Sequence, residues 1–190
     1  RKEAVRTEND YKYNLYQDYM SNPEKTTGLF TEFSDLKTDA EKKELKRVFE
    51  KAQENDSLMW QTVISFDNRW LEENGLYQSK DRVLDEERLK GITRSAVRKM
   101  LEKEGLQNAV WSAAVHYNTD NIHIHIASVE PHPMREKKAY IQYEEKMVNG
   151  RMRKQPILDQ NGKPVVKREY RGTFKPKSIE ACRREVVNEI

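Results

Sequence analysis

The chain has 190 residues, 36% of them hydrophobic and 35% charged, enough for one domain with a core of ordinary size. Its single cysteine, Cys182, excludes an internal disulfide and suits a reducing compartment, so a cytoplasmic location is expected. No apolar run approaches membrane-spanning length and no signal-peptide pattern occurs, so no membrane insertion is expected.

Residues 8–21 carry four tyrosines in a helical pattern. Tyr11, Leu15 and Tyr19 share one face, and Tyr13, Tyr16 and Met20 another. Asn22-Pro23 ends this helix, and 26–30 reads as loop. Asp39 to Asn55 is a charged helix with Leu45, Val48, Phe49 and Ala52 on its apolar stripe. Leu58–Phe66 has strand length and strand composition. Leu84 to Lys103 is the strongest helical pattern, stopped by Gly105, with Leu89, Ile92, Ala96, Val97, Met100 and Leu101 inward.

The segment 108–130 reads as a β-hairpin. Val110–His116 and Ile122–Ile126 both alternate with period two, and Asn118-Thr119-Asp120-Asn121 between them is turn chemistry. A turn symmetric about Thr119 and Asp120 pairs His116 with His123. Opposed residues, and residues two apart, share a face. His116, His123 and His125 therefore converge, while Trp111, Ala113, Val115, Ile122, Ile124 and Ile126 face a core. Ser112 and Ala114 flank His116 and leave room for a ligand. Three imidazoles without a fourth protein ligand describe an open metal site, suited to Zn²⁺, Mn²⁺, Co²⁺ or Ni²⁺. Metal-bound histidines donate their second nitrogen to carboxylates or carbonyls, and Asp120 and Glu130 are the nearby carboxylates for that role. His132, between two prolines, reads as a loop residue, and Cys182 as a packing residue in a helix.

Beyond Pro133 the pattern weakens. Tyr140–Tyr143 reads as a short strand, and 157–158 with 165–166 as a hairpin around Asp159–Pro164. Pro176 opens a last helix through Ile190. Residues 135–177 hold 13 Lys/Arg against 5 Asp/Glu, a net +8, which leaves −5 for the rest. A basic segment on a mildly acidic body is the pattern of a polyanion clamp. Its candidate contacts are Arg151, Arg153, Lys154, Lys167, Arg168, Lys175 and Lys177. The expected class is α+β, an antiparallel sheet with helices packed on one face. The chain is expected to form a single domain, 1–190. Opening at Arg1 and stopping inside a helical pattern, it reads as a piece of a longer protein, with an N-terminal strand and a downstream region outside it.

The N-terminal tyrosine cluster with His123-Ile-His125 resembles the HUH endonucleases. The tyrosines precede the histidines, as in conjugative relaxases and unlike most rolling-circle replication initiators. Leu15-Tyr-Gln-Asp-Tyr19-Met resembles the motif of the relaxase nucleophile, and His116-(six residues)-His123-Ile-His125 the relaxase metal motif. The chain is most similar to the MobL group of plasmid mobilisation relaxases from Firmicutes. That group has a tyrosine followed by Met or Ile, an Asp-Asn before the His-x-His, and a segment like Phe174-Lys-Pro-Lys177. The resemblance implies a metal-dependent DNA strand transferase that nicks one strand at an origin of transfer. It implies Tyr19, or else Tyr16, as nucleophile, a 5′-phosphotyrosyl intermediate and a free 3′-hydroxyl. It also implies Mn²⁺ or Mg²⁺ as cofactor and single-stranded or supercoiled origin DNA as substrate, with relaxosome accessory proteins and a coupling protein as partners. The alternative readings are a replication initiator, a metal hydrolase using a bound water, and a non-catalytic DNA-binding module.

Overall fold

A computed structural model describes residues 12–117 and 121–190. They fall into two compact units, one within 1–133 and 173–190, the other Met134–Gly172.

The larger unit is built on a four-stranded antiparallel sheet. Its strands are β1 (Leu29–Thr31), β2 (Met59–Ser65), β5 (Val110–His116) and β6 (His123–Val129), in the order β1-β5-β6-β2. Four helices serve it: α1 (Lys12–Met20), α2 (Asp39–Glu54), α4 (Glu86–Glu104) and α5 (Pro176–Asn188). A short helix α3 (Asn68–Glu73) and a small hairpin, β3 (Tyr77–Gln78) with β4 (Val83–Leu84), link β2 to α4. The helix starts are chemically specified. Thr38 and Glu41 form a reciprocal capping box on α2, and the Asp85 carboxylate accepts from the Arg88 N–H of α4 at 3.1 Å. α4 ends at Gly105, whose φ of +82° is the left-handed conformation that glycine adopts without strain.

The α+β class is the one expected, but the helices cover both faces of the sheet. Trp111, Ala113, Val115, Ile124 and Ile126 pack with Leu89, Ile92, Ala96 and Met100 of α4 and with Cys182 and Val186 of α5. On the opposite face Leu29, Ala114, Ala127 and Val129 pack with Met20 of α1 and Leu45, Phe49 and Ala52 of α2. The expectation of helices on one face fails because the small side chains there admit a helix. Ser112 and Ala114 are fully buried, and the Ser112 hydroxyl donates to Gln17 Oε1 of α1 at 2.7 Å. The room expected for a ligand at these two positions belongs to α1.

Other differences are local. Leu29 and Phe30, expected as loop, belong instead to the edge strand β1, which pairs with β5 and sets Phe30 opposite Ala113. The expected strand 58–66, the helix of 39–55 and the helix of 84–103 occur within two residues of their predicted ends.

The smaller unit consists of two-stranded ribbons. β7 (Lys138–Ile141) pairs with β10 (Val166–Glu169), and β8 (Tyr143–Val148) with β9 (Arg151–Pro156). The expected hairpin about Asp159–Pro164 forms, with the Val165 N–H donating to the Ile157 carbonyl at 2.8 Å. The β8–β9 turn is Asn149-Gly150, both at positive φ (50° and 73°). No residue of Met134–Gly172 is buried. The unit carries 11 Lys/Arg against 5 Asp/Glu, a net +6, on ribbons exposed along both faces.

Candidate metal centre and tyrosine helix

The β5–β6 register pairs His116 with His123 and Ala114 with His125. All three imidazoles therefore lie on one face. Ring centroids are 4.6 Å apart for His116–His125, 4.9 Å for His123–His125 and 5.4 Å for His116–His123. One ligating nitrogen from each lies within 4.8 Å of the other two. That spacing suits a single divalent ion, and among the described residues no carboxylate or thiolate joins the group.

The second nitrogens are held by neighbours. His116 Nε2 lies 3.0 Å from the Met20 carbonyl, and His123 Nδ1 3.0 Å from the Asn121 carbonyl. A carbonyl only accepts, so each of these nitrogens carries the proton, and the lone pair falls on His116 Nδ1 and His123 Nε2. His125 Nδ1 meets the Tyr16 hydroxyl at 3.3 Å. Burial first, then the charges of neighbouring groups, holds the His125 imidazole down at about 4. Burial likewise holds His116 below its ordinary value, against the hydrogen bond to Met20. Neutral imidazole is the form that binds a metal. The three convergent nitrogen donors, two of them with tautomers fixed by carbonyls, therefore fit a divalent ion.

α1 lies over this face. Tyr13, Tyr16, Gln17 and Met20 point to the sheet, and Leu15 and Tyr19 stand about half exposed. The Tyr13 hydroxyl donates to the Ser57 carbonyl, away from the histidines, and burial raises its pKa. Tyr16 and Tyr19 stack at 5.8 Å. The Tyr19 ring stands edge-on to His125 at 5.8 Å and to His116 at 6.3 Å. Burial, and then Tyr19, raises the pKa of Tyr16. The structure thus brings Tyr16, Tyr19, His116, His123 and His125 together.

Other expected residues lie elsewhere. Glu130 is five residues past His125, roughly 16 Å along an extended strand, and its N–H donates to Ser57 Oγ at 2.9 Å. It does not reach the imidazoles, whose partners are carbonyls and a hydroxyl instead. Asp120 and Tyr11 lie outside the described residues. Arg151, Arg153, Lys154, Lys167 and Arg168 belong to the smaller unit, while Lys175 and Lys177 sit at the start of α5. Lys154 covers the Tyr143 ring at 5.1 Å, Lys167 pairs with Glu169 at 3.3 Å, and Arg168 donates to the Lys137 carbonyl at 2.8 Å. The Lys175 N–H is bonded to the buried Glu104 carboxylate, a helix-start contact. His132 is exposed and outside the cluster, and Cys182 is a buried core thiol pushed up to about 11 by burial.

Sequence reasoning missed Lys25, whose ammonium lies 5.0 Å from the centroid of the Tyr19 ring. Its one signal is the Asn22-Pro23 turn, which folds the chain back towards the end of α1.

The class of protein is a relaxase. The MobL relaxase family model matches residues 1–190, the whole length, and the chain belongs to that family. No curated protein and no solved structure matches it. Membership brings with it conjugative nicking activity and binding of DNA at an origin of transfer, and it selects the relaxase reading over the replication initiator and the non-catalytic module. No helix among the described residues is long and apolar enough to cross a membrane.

Proposed function

We propose that this chain nicks one strand at a plasmid origin of transfer through attack of Tyr19 on the scissile phosphate. The observation that carries this is the half-exposed Tyr19 ring standing against both His116 and His125. The Tyr19 oxygen forms a bond to phosphorus as the bond from phosphorus to the 3′-oxygen breaks. The 5′-phosphate stays on the tyrosine, and the 3′-oxygen leaves as a hydroxyl with the net proton that the phenol released. The new ester keeps the bond energy, so rejoining needs no nucleotide.

His116, His123 and His125 are the residues that hold the divalent ion, Mn²⁺ or Mg²⁺ in this reading, with Zn²⁺, Co²⁺ or Ni²⁺ as the other ions that imidazole suits. Such an ion draws charge from a phosphate and favours the developing negative charge. Tyr16 positions His125 through its hydroxyl rather than attacking: that hydroxyl is engaged with the imidazole and its ring is the more buried of the two. Met20 and Asn121 fix the other two rings through their carbonyls.

Arg151, Arg153, Lys154, Lys167 and Arg168, with Lys175 and Lys177, contact the DNA backbone. The support is a net +6 on the smaller unit, which carries the first five and has no buried residue, and the exposure of Lys175 and Lys177 at the start of α5. Accessory proteins of a relaxosome and a coupling protein complete the machinery, and the reaction runs in the cytoplasm. Incubation with supercoiled or single-stranded origin DNA and Mn²⁺ tests the reading. An SDS-resistant protein–DNA adduct is expected, and its absence rejects tyrosine attack.

A further inference from the structure

We infer that Lys25 is a charge-stabilising residue of the nicking reaction: its ammonium, set over the Tyr19 ring, favours the negative charge that grows on the attacking oxygen and the phosphate. This inference rests on Tyr19 as the nucleophile.

The placement of Lys25 is built by its loop. α1 ends at Met20, and Asn22-Pro23 turns the chain. The Asn22 carbonyl accepts from the Lys25 N–H at 2.9 Å and the Thr26 N–H at 3.2 Å, and its side-chain oxygen accepts from the Glu24 N–H at 3.0 Å. Thr26 is buried and its hydroxyl meets the Gly28 carbonyl at 3.3 Å. Gly28, at φ +141°, then turns into β1 against the histidine strand β5. A residue with a Cβ is strained at that φ, so the loop path is specified at both ends.

This path leaves the Lys25 side chain partly buried, 5.0 Å from the Tyr19 centroid. Among the described residues no ion pair or hydrogen bond engages its ammonium. The Tyr19 ring it covers stands edge-on to both His116 and His125. A cation without a carboxylate partner among the described residues, beside both the nucleophile and the metal ligands, is an arrangement awaiting an anion.

The energetic argument is one of difference. An ammonium over a neutral phenol gains a modest cation–π attraction. The same ammonium gains far more when the ring oxygen takes on charge, and more again when a phosphate is present. Only an interaction that strengthens in the transition state raises the rate. Lys25 keeps its proton throughout. It takes no part in bond making, and the phenolic proton still ends on the 3′-hydroxyl.

The test uses the full chain with Mn²⁺ and supercoiled DNA carrying the locus that encodes it. Single-turnover adduct formation, DNA affinity and thermal melting are measured for the wild type, Lys25→Met, Lys25→Arg and Tyr19→Phe. Lys25→Met keeps length and apolar packing and removes the charge. The expected result is a loss of about 100-fold in the adduct rate. DNA affinity and melting temperature should stay near wild type, and Lys25→Arg should recover most of the rate. Wild-type rates for Lys25→Met overturn the inference. So does a loss that Lys25→Arg shares in full, or one that lies in DNA affinity alone. If Tyr19→Phe abolishes the adduct while Lys25→Met reacts normally, only the role of Lys25 falls. If the wild-type adduct maps to another residue, or none forms, the Tyr19 assignment falls and the role of Lys25 with it.

Discussion

The imidazole of His116 caps helix α1: its Nε2 lies 3.0 Å from the carbonyl of Met20, the last residue of the helix. The last carbonyls of a helix have no partner within it, so this contact satisfies one of them. The same bond fixes the tautomer of a histidine of the cluster and ties it to the residue that follows Tyr19. Sheet, histidine cluster and tyrosine helix are thereby held by one short link between residues 96 apart in the chain.

The three histidines should therefore differ on substitution. His123→Ala and His125→Ala should abolish Mn²⁺-dependent nicking and leave the melting temperature close to wild type. His116→Ala should abolish nicking and also destabilise the fold by about 1–2 kcal/mol, because a buried carbonyl loses its donor. Thermal melts beside gel-based nicking assays check this. Full activity in His123→Ala and His125→Ala would remove the metal assignment.

Tyr→Phe substitutions separate attack from positioning. Tyr19→Phe should eliminate the covalent adduct while metal and DNA binding persist. Tyr16→Phe should still form the adduct, with metal affinity lowered about 10-fold by the loss of the His125 partner. Peptide mapping of the trapped adduct and titration calorimetry with Mn²⁺ are the measurements. An adduct on Tyr16 would reverse the two roles.

Neutralising Arg151, Arg153 and Lys154 together should weaken DNA binding at low salt. Each cation taken away from a phosphate makes the slope of log affinity against log salt shallower by about 0.7–0.9, so the slope of the triple variant should fall by roughly 2 to 3. Fluorescence anisotropy over a salt series measures it. An unchanged slope would show that these side chains face only solvent.

Asp35 links β1 to α4: its carboxylate meets Lys90 Nζ and Arg94 Nη2, each at 2.7 Å. Burial pushes this carboxyl up, but the hydrogen bonds and charges of Lys90 and Arg94 outweigh it and hold it below its ordinary value. A depressed carboxyl stabilises the fold at pH above its unfolded value, near 3.8, and the contribution fades as pH falls through the folded value. Asp35→Asn should cost about 2 kcal/mol at neutral pH, since it leaves Lys90 largely buried with one carboxylate fewer. The gap from wild type should close below pH 4. Urea denaturation at pH 7 and pH 3 tests the sign; a gap that widens in acid would contradict it.

The histidine face is legible in the amino-acid sequence, and the reason is local. Side chains alternate with period two, and a short turn sets the register, so Val110–Ile126 contains everything needed to converge His116, His123 and His125. The long helices are legible for the same reason, through apolar spacing, capping residues and Gly105. The β8–β9 ribbon is not, although Asn149-Gly150 is a hairpin signal, because its flanking segments are charged and have no buried face to alternate against. The partners of the imidazoles are not legible either. Met20 and Tyr16 lie 96 and 109 residues before the histidines they meet, and no periodicity in one segment states which other segment will cover it. For the same reason Ser112 and Ala114 read as space for a ligand, whereas the space is filled by α1. Small side chains announce close approach but not what approaches. Long-range packing alone sets the tyrosine helix on the histidine face and stands Lys25, carried by the loop that follows, over Tyr19.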